Sequence, residues 1–128
     1  MIIQDIAEYL EDQARGTVGT NIFMSTMPSS PNNCIAIYDQ GEVTPDGELD
    51  SKVLMVQIIV RNTSYTSMQT LVDNIVSDLH QIARSTGNPL IAGGKNIRYS
   101  LLRSSGYIGK DDTERHEYSL NFEVYVER

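Results

Sequence analysis

The chain has one cysteine, Cys34, two histidines, His80 and His116, and only ten basic residues among 128. A lone thiol excludes an intrachain disulfide. Cys34 has no neighbouring His or basic residue in sequence to lower its pKa, so it reads as a buried strand residue and not as a nucleophile. Two imidazoles, one on the polar side of a helix pattern and one opening a strand pattern, read as solvated surface groups. A metal site needs three or four converging ligands, and no spacing here supplies them. The bases are scattered and outnumbered by seventeen acids, a net charge of -7. That balance excludes a protein that grips nucleic acid, because affinity for phosphate backbones comes from clustered Lys and Arg.

Long apolar runs are lacking too. The longest, Val53 to Val60, is interrupted by Gln57 and is too short to span a bilayer. The first residues show neither a basic segment nor an apolar core of the kind that opens a secretory signal. The expectation is a protein folded in a reducing cytoplasm without a membrane anchor, in which the glycosylation pattern Asn62-Thr63-Ser64 has no meaning. The length suits a single domain over residues 1–128.

Taken in order, Ile3, Ile6, Ala7, Leu10 and Ala14 recur at helical spacing, and Gly16 and Gly19 follow as stops. Asn21 to Met24 is a short strand candidate before a Pro-Ser-Ser-Pro turn region. Cys34 to Tyr38 is a second strand, with Ile35 and Ile37 on one side and Cys34, Ala36 and Tyr38 on the other. Gln40 to Ser51 is polar and acidic, and its Thr44-Pro45-Asp46-Gly47 has turn chemistry. It reads as a projecting hairpin loop between antiparallel strands, or as a tip with no role. Val53 to Arg61 is a strand. Ser64 is a candidate N-cap for a helix whose stripe runs from Met68 through Leu79, Ile82 and Ala83 to Gly87. Strands follow at Ile97 to Leu102 and Arg115 to Val126, around a polar loop from Arg103 to Glu114. In the last strand Tyr118, Leu120, Phe122, Val124 and Val126 share one face.

These elements predict an α+β fold: a mostly antiparallel sheet of about five strands with two helices packed on one face. The strand at Val53 to Val60 is apolar on both sides. If Leu54, Val56, Ile58 and Val60 meet the helices, then Val53, Met55 and Ile59 face outward with nothing in the chain to cover them. A second copy of the protein is the simplest cover, and a curled sheet covering its own outer face is the alternative.

Motifs that carry chemistry fail on inspection. Gly93-Gly94-Lys95 resembles the end of a phosphate loop, but Pro89 stands where the first glycine belongs. Asn96 replaces the Ser or Thr that meets magnesium, and the segment follows a helix where it ought to open one. A flexible loop is expected over Gly87 to Asn96. The acids Asp111, Asp112, Glu114 and Glu117 lack the alternation of a calcium loop and read as solvated charge. No catalytic, cofactor or metal residue is assigned.

Three stretches together resemble the minor capsid and tail terminator proteins of long-tailed bacteriophages. They are Met27 through the two prolines to Tyr38, Val56 to Asn62 with Ser64-Tyr65 and the long helix, and Tyr107 to Asp112 with Arg115 to Phe122. The likeness is one of layout over nearly the whole chain, and it departs at Asn32-Asn33, where an acid is more usual. It implies a structural virion protein, not an enzyme, that forms a hexameric ring at the tail-neck junction after assembly in the host cytoplasm. Such a ring caps the tail tube, ends its growth and joins the tail to the head-neck connector. DNA would pass through without specific binding, which acidic charge suits. Subunit contacts are expected at Val53, Met55 and Ile59 and at the hairpin acids Glu42, Asp46, Glu48 and Asp50. A head completion or stopper protein of the same neck is the near alternative, and a small ligand-binding or hydrolase domain, with a pocket of convergent polar groups, is the distant one.

Overall fold

The computed structural model describes residues 2–43, 51–80, 90–92 and 95–127. Helix α1, Ile2–Asp12, buries Ile2, Ile3, Ile6, Ala7 and Leu10 on the stripe expected of it. It ends before Gly16, because Ala14 turns left-handed at φ 63° and the Arg15 amide donates to the Leu10 carbonyl at 2.9 Å. Gly16 serves a different purpose: a side chain there would meet Asn21 Oδ1 at 2.6 Å and Ile22 Cγ1 at 2.9 Å.

Among the described residues six strands form one sheet in the order β1-β2-β3-β6-β5-β4: β1 Ile22–Met24, β2 Cys34–Val43, β3 Ser51–Asn62, β4 Leu90–Ala92, β5 Lys95–Lys110 and β6 His116–Glu127. All pairs are antiparallel except β1 with β2. Five strands are those expected, and the sixth, β4, lies where a flexible loop was expected. It exists because Leu90, Ile91 and Ala92 find partners in Ile97, Asn96 and Lys95. Two strands outrun their expected ends. β2 continues past Tyr38 to Val43, so the start of the anticipated hairpin loop is strand; residues 44–50, with Asp46, Glu48 and Asp50, lie outside the described residues. β5 runs on through the expected loop from Arg103 to Lys110. Serines and glycines gave that segment a loop's composition, but pairing with β6 as far as Lys110↔His116 overrides a weak local preference.

Helix α2, Tyr65–Leu79, starts at Ser64 as expected, the Ser67 amide donating to Ser64 Oγ at 3.2 Å. It is shorter than its apolar stripe predicts. His80 is extended (ψ 118°) and ends the helix at Leu79, while Ile82, Ala83 and Gly87 lie outside the described residues.

Both helices pack on one face of the sheet. Ile3, Ile6 and Leu10 of α1 and Met68, Val72 and Ile75 of α2 share a core with Leu54, Val56, Ile58 and Val60 of β3 and with Leu120, Phe122, Val124 and Val126 of β6. The predicted alternation of β6 is borne out along its length. A bidentate ion pair ties the turn after α1 to α2, Arg15 Nε to Asp78 Oδ2 at 2.6 Å and Nη2 to Oδ1 at 2.9 Å. That hydrogen bond raises the Arg15 pKa, against the burial that opposes it.

One core position is poorly matched. Asp5 is 6% exposed, and its Oδ2 has no hydrogen-bond partner among the described residues. It borders a cavity of about 20 Å³ whose walls include Ile6, Val56, Leu79, Phe122 and Val124. A buried acceptor without a donor costs about 1–3 kcal/mol, more than the few tenths an acid gains at a helix N-terminus. Asp5→Leu is therefore expected to stabilise the monomer by about 1 kcal/mol in urea unfolding; a less stable variant would show that Asp5 is satisfied in solution.

Candidate interaction surfaces

The outer face of the sheet, opposite the helices, is covered at one end by the chain itself. Residues 25–33 fold across the ends of β2 and β3, and two arginines hold them there. Arg61, only 3% exposed, donates from Nη2 to the carbonyls of Pro28 and Pro31 at 2.6 and 2.7 Å and from Nε to Asn32 at 3.2 Å. Arg115 Nη1 donates to the Ser29 carbonyl, and its Nε to Asp111 Oδ2 at 2.7 Å. Prolines leave a loop rich in carbonyls and poor in N–H groups, and a guanidinium offers five donors in one plane. The Asn33 side chain adds a bond from the Thr63 amide at 3.0 Å. Under this clasp Cys34 is 3% exposed, its thiol against Met27 Sδ at 3.2 Å, and Ala36 is fully buried. Burial pushes the Cys34 thiol pKa up although Arg61 and Arg115 pull it down. The thiol is therefore protonated at neutral pH and shielded. Neither arginine was marked by sequence motif. The available signal was a charge, Arg61, closing an otherwise apolar strand after a proline-rich turn.

The middle of the outer face is mixed. Met55 is 38% exposed and Ile59 is half-buried, as positions without cover should be. Val53 departs from the expectation: it is 7% exposed, set in register between Val43 of β2 and Tyr125 of β6, so the chain covers it unaided. Around Met55 the face is polar. Arg103 Nε meets Glu123 Oε2 at 2.9 Å, the Tyr125 hydroxyl donates to the same oxygen at 3.1 Å, and Gln57 Nε2 donates to Ser119 Oγ at 3.2 Å. These groups border a shallow groove of about 250 Å³ lined by Gln40, Met55, Arg103, Asn121 and Glu123. Glu42, the one hairpin acid of the expected set within the described residues, is exposed and 3.5 Å from Lys52 Nζ.

At the same end of the sheet as this clasp an aromatic cluster stands in solvent. Tyr65 meets Tyr107 and His116 edge-on, both at 5.5 Å between centroids, and the Tyr107 hydroxyl lies 2.8 Å from His116 Nδ1. Tyr65, Tyr107 and Ile108 are 47, 44 and 56% exposed. His116 is thus engaged by its neighbours and is not simply solvated. His80 corrects the same expectation, being half-buried with Nδ1 accepting from the Leu102 amide at 2.9 Å.

The turn beneath the cluster is built on Asp111, which accepts from the Thr113 amide (2.9 Å) and hydroxyl (3.0 Å), from the Arg115 amide (3.0 Å) and from Arg115 Nε. The Arg115 amide first, then the Thr113 donors, hold its pKa down to about 2. Asp111 is a structural acceptor, contrary to its reading as solvated charge. Among the described residues no three His, Cys, Asp or Glu side chains converge as a metal site would require.

Two outcomes test this arrangement. Arg61→Ala removes three charge-assisted bonds and strands their carbonyls, for a loss of about 3 kcal/mol. In native buffer it exposes Cys34, so maleimide labelling accelerates well above the wild-type rate; unchanged labelling would mean the clasp is held by other contacts. Asp111 has a lowered folded pKa, so its stabilisation is complete above about 4, its unfolded value, and is lost as pH falls through about 2. Asp111→Asn should therefore be less stable than wild type at pH 6, the difference shrinking between pH 4 and pH 2; a gap constant with pH would show that ionisation of Asp111 is irrelevant to the turn.

Comparison with known proteins follows the same outline. No curated protein matches the chain at a significant level. A solved chain from the virion of a native gene transfer agent particle shares the fold, with a TM-score of 0.72 at 10% identity, covering 99% of this chain and 95% of that one. Another solved chain superposes with a TM-score of 0.58 at 16% identity, covering 96% of this chain and 92% of its own. At such identities the likeness concerns the fold alone. The sequence pattern described as bacteriophage tail terminator protein matches residues 9–128. On that match over nearly its whole length, the chain belongs to the bacteriophage tail terminator family, structural proteins of the phage tail.

Proposed function

We propose that this protein acts as one segment of a six-membered ring that closes the tail tube, ends its elongation and joins the tail to the head-neck connector. Family membership over residues 9–128 carries the reading. The role is structural and not enzymatic. Self-association uses the outer face of the sheet around Met55 and Ile59, which stay partly open to solvent, and the acidic β2–β3 hairpin that begins at Glu42 and includes Asp46, Glu48 and Asp50. Val53 supports that face from within and offers little surface of its own. The partners are further copies of the chain, the tube protein and the connector, at the tail-neck junction of the particle. A net charge of -7 suits a channel wall past which DNA slides without adhering.

The experiment is a complementation with Met55→Lys and Ile59→Lys combined. One position is exposed and the other half-buried, so the monomer should lose no more than about 1–2 kcal/mol. Micrographs of lysates should then show filled heads beside unjoined tails of variable length. Joined particles with normal tails would overturn the assignment of this face, and normal tails beside emptied heads in a lysate lacking the protein would point to a stopper.

A further inference from the structure

Each outer strand of the sheet covers only part of its neighbour. β1 pairs with Ile35, Ala36 and Ile37, which leaves the edge of β2 open from Tyr38 to Val43 among the described residues. β4 pairs with Lys95, Asn96 and Ile97 of β5. Beyond β4, His80 closes the same edge by accepting the Leu102 amide. From Ser104 to Lys110 β5 has, among the described residues, no strand beside it other than β6. Open edges of this length present rows of unpaired N–H and C=O groups, which pair readily with another strand.

The two openings lie at opposite ends of the strands. Following the registers across the sheet, Tyr38 is level with Gln57, Asn121 and Ser104, and Val43 with Val53, Tyr125 and Tyr99. The open part of β5 rises from Ser104 to Gly109, which is level with Glu117, Arg61 and Cys34. β2 is thus open level with Tyr99 to Ser104 of β5, where His80 caps the Leu102 amide, and β5 is open where β2 is paired with β1.

We infer that the two openings are halves of one joint: Ser104 to Lys110 of one copy pairs antiparallel with Tyr38 to Val43 of the next, so that the sheet runs on from subunit to subunit. This deepens the ring reading and rests on it. The direction follows from the fold, since β2 and β6 both oppose β3 and β5 opposes β6, which leaves β5 opposed to a β2 placed beside it in the same sense. The joint uses two different edges, so it is head-to-tail, the kind of contact that generates a ring. Its offset is four to five positions of the common register, about 15 Å at the rise of a strand, across the four strands β2, β3, β6 and β5, which span about 19 Å. That inclines the strands by about 40°, within the range at which sheets close on themselves.

Charge favours the same pairing. The β5 segment, Ser-Ser-Gly-Tyr-Ile-Gly-Lys, has no acid, whereas the β2 segment contains Asp39 and Glu42 and no base. Two β2 edges side by side would set acid against acid, which is unfavourable in cross-strand pairs. Both edges are also bulged, β2 between Asp39 and Glu42 and β5 between Leu102 and Ser104 and again between Tyr107 and Gly109. Bulges twist an edge away from flat strands, so the free monomer resists indiscriminate pairing while an edge of matching twist is accepted.

The test compares hydrogen exchange of the isolated monomer with that of the protein in purified tails. Amides in Ser104–Lys110 and Asp39–Val43 should both slow by at least about tenfold on assembly. As an orientation check, Gln40→Cys and Tyr107→Cys in one chain should give a disulfide ladder in tails, because Cys34 is shielded, whereas a mixture of the two single variants should stop at dimers. Rings in which both segments exchange as fast as in the monomer would overturn the joint and leave the ring reading standing. Tails carrying single, unassociated copies would overturn both.

Discussion

Twelve consecutive pairs between β3 and β6, from Ser51↔Glu127 to Asn62↔His116, form the spine on which the other elements depend. No bulge interrupts this register, so side chains on both strands keep strict alternation, and a slip of one residue would turn the whole apolar set to the wrong side. Leu54, Val56, Ile58 and Val60 therefore lie opposite Val124, Phe122, Leu120 and Tyr118, and both helices come to rest on that one surface. The turn after α1 is then fixed to α2 by Arg15 and Asp78.

The outer surface of the same spine is divided into zones. At one end the clasp of residues 25–33, held by Arg61 and Arg115, covers Cys34 and Ala36 and turns part of the outer face into interior. In the middle, Met55 and Ile59 stand among polar pairs such as Arg103–Glu123. In the proposed ring, a face with few apolar side chains and open, bulged edges keeps the free monomer from indiscriminate pairing while leaving main-chain groups to pair on assembly. Most of the adhesive capacity on this reading is main-chain, which composition does not reveal.

The places where sequence and structure part share one cause. Helix α2 stops at Leu79 although its stripe continues, because His80 turns away to receive the Leu102 amide. β5 runs to Lys110 although its residues favour a loop, because β6 offers it partners. Val53 is covered although no local pattern announces it, because Val43 and Tyr125 are brought alongside. Arg61 was legible as a charge at the end of a strand, but its three carbonyl acceptors are 29 to 33 residues away in sequence.

The sequence by itself determined both helices, five of the six strands among the described residues, the alternation of the last strand, the Ser64 cap and the α+β class, since each of these is written in the spacing of neighbouring residues. Layout alone also carried the likeness to tail terminators. The tertiary structure decided strand order, the extent of β2 and β5, the clasp and the pair of open edges. These depend on which distant segments meet, and a backbone edge is open or closed according to what lies beside it, whatever side chains it bears.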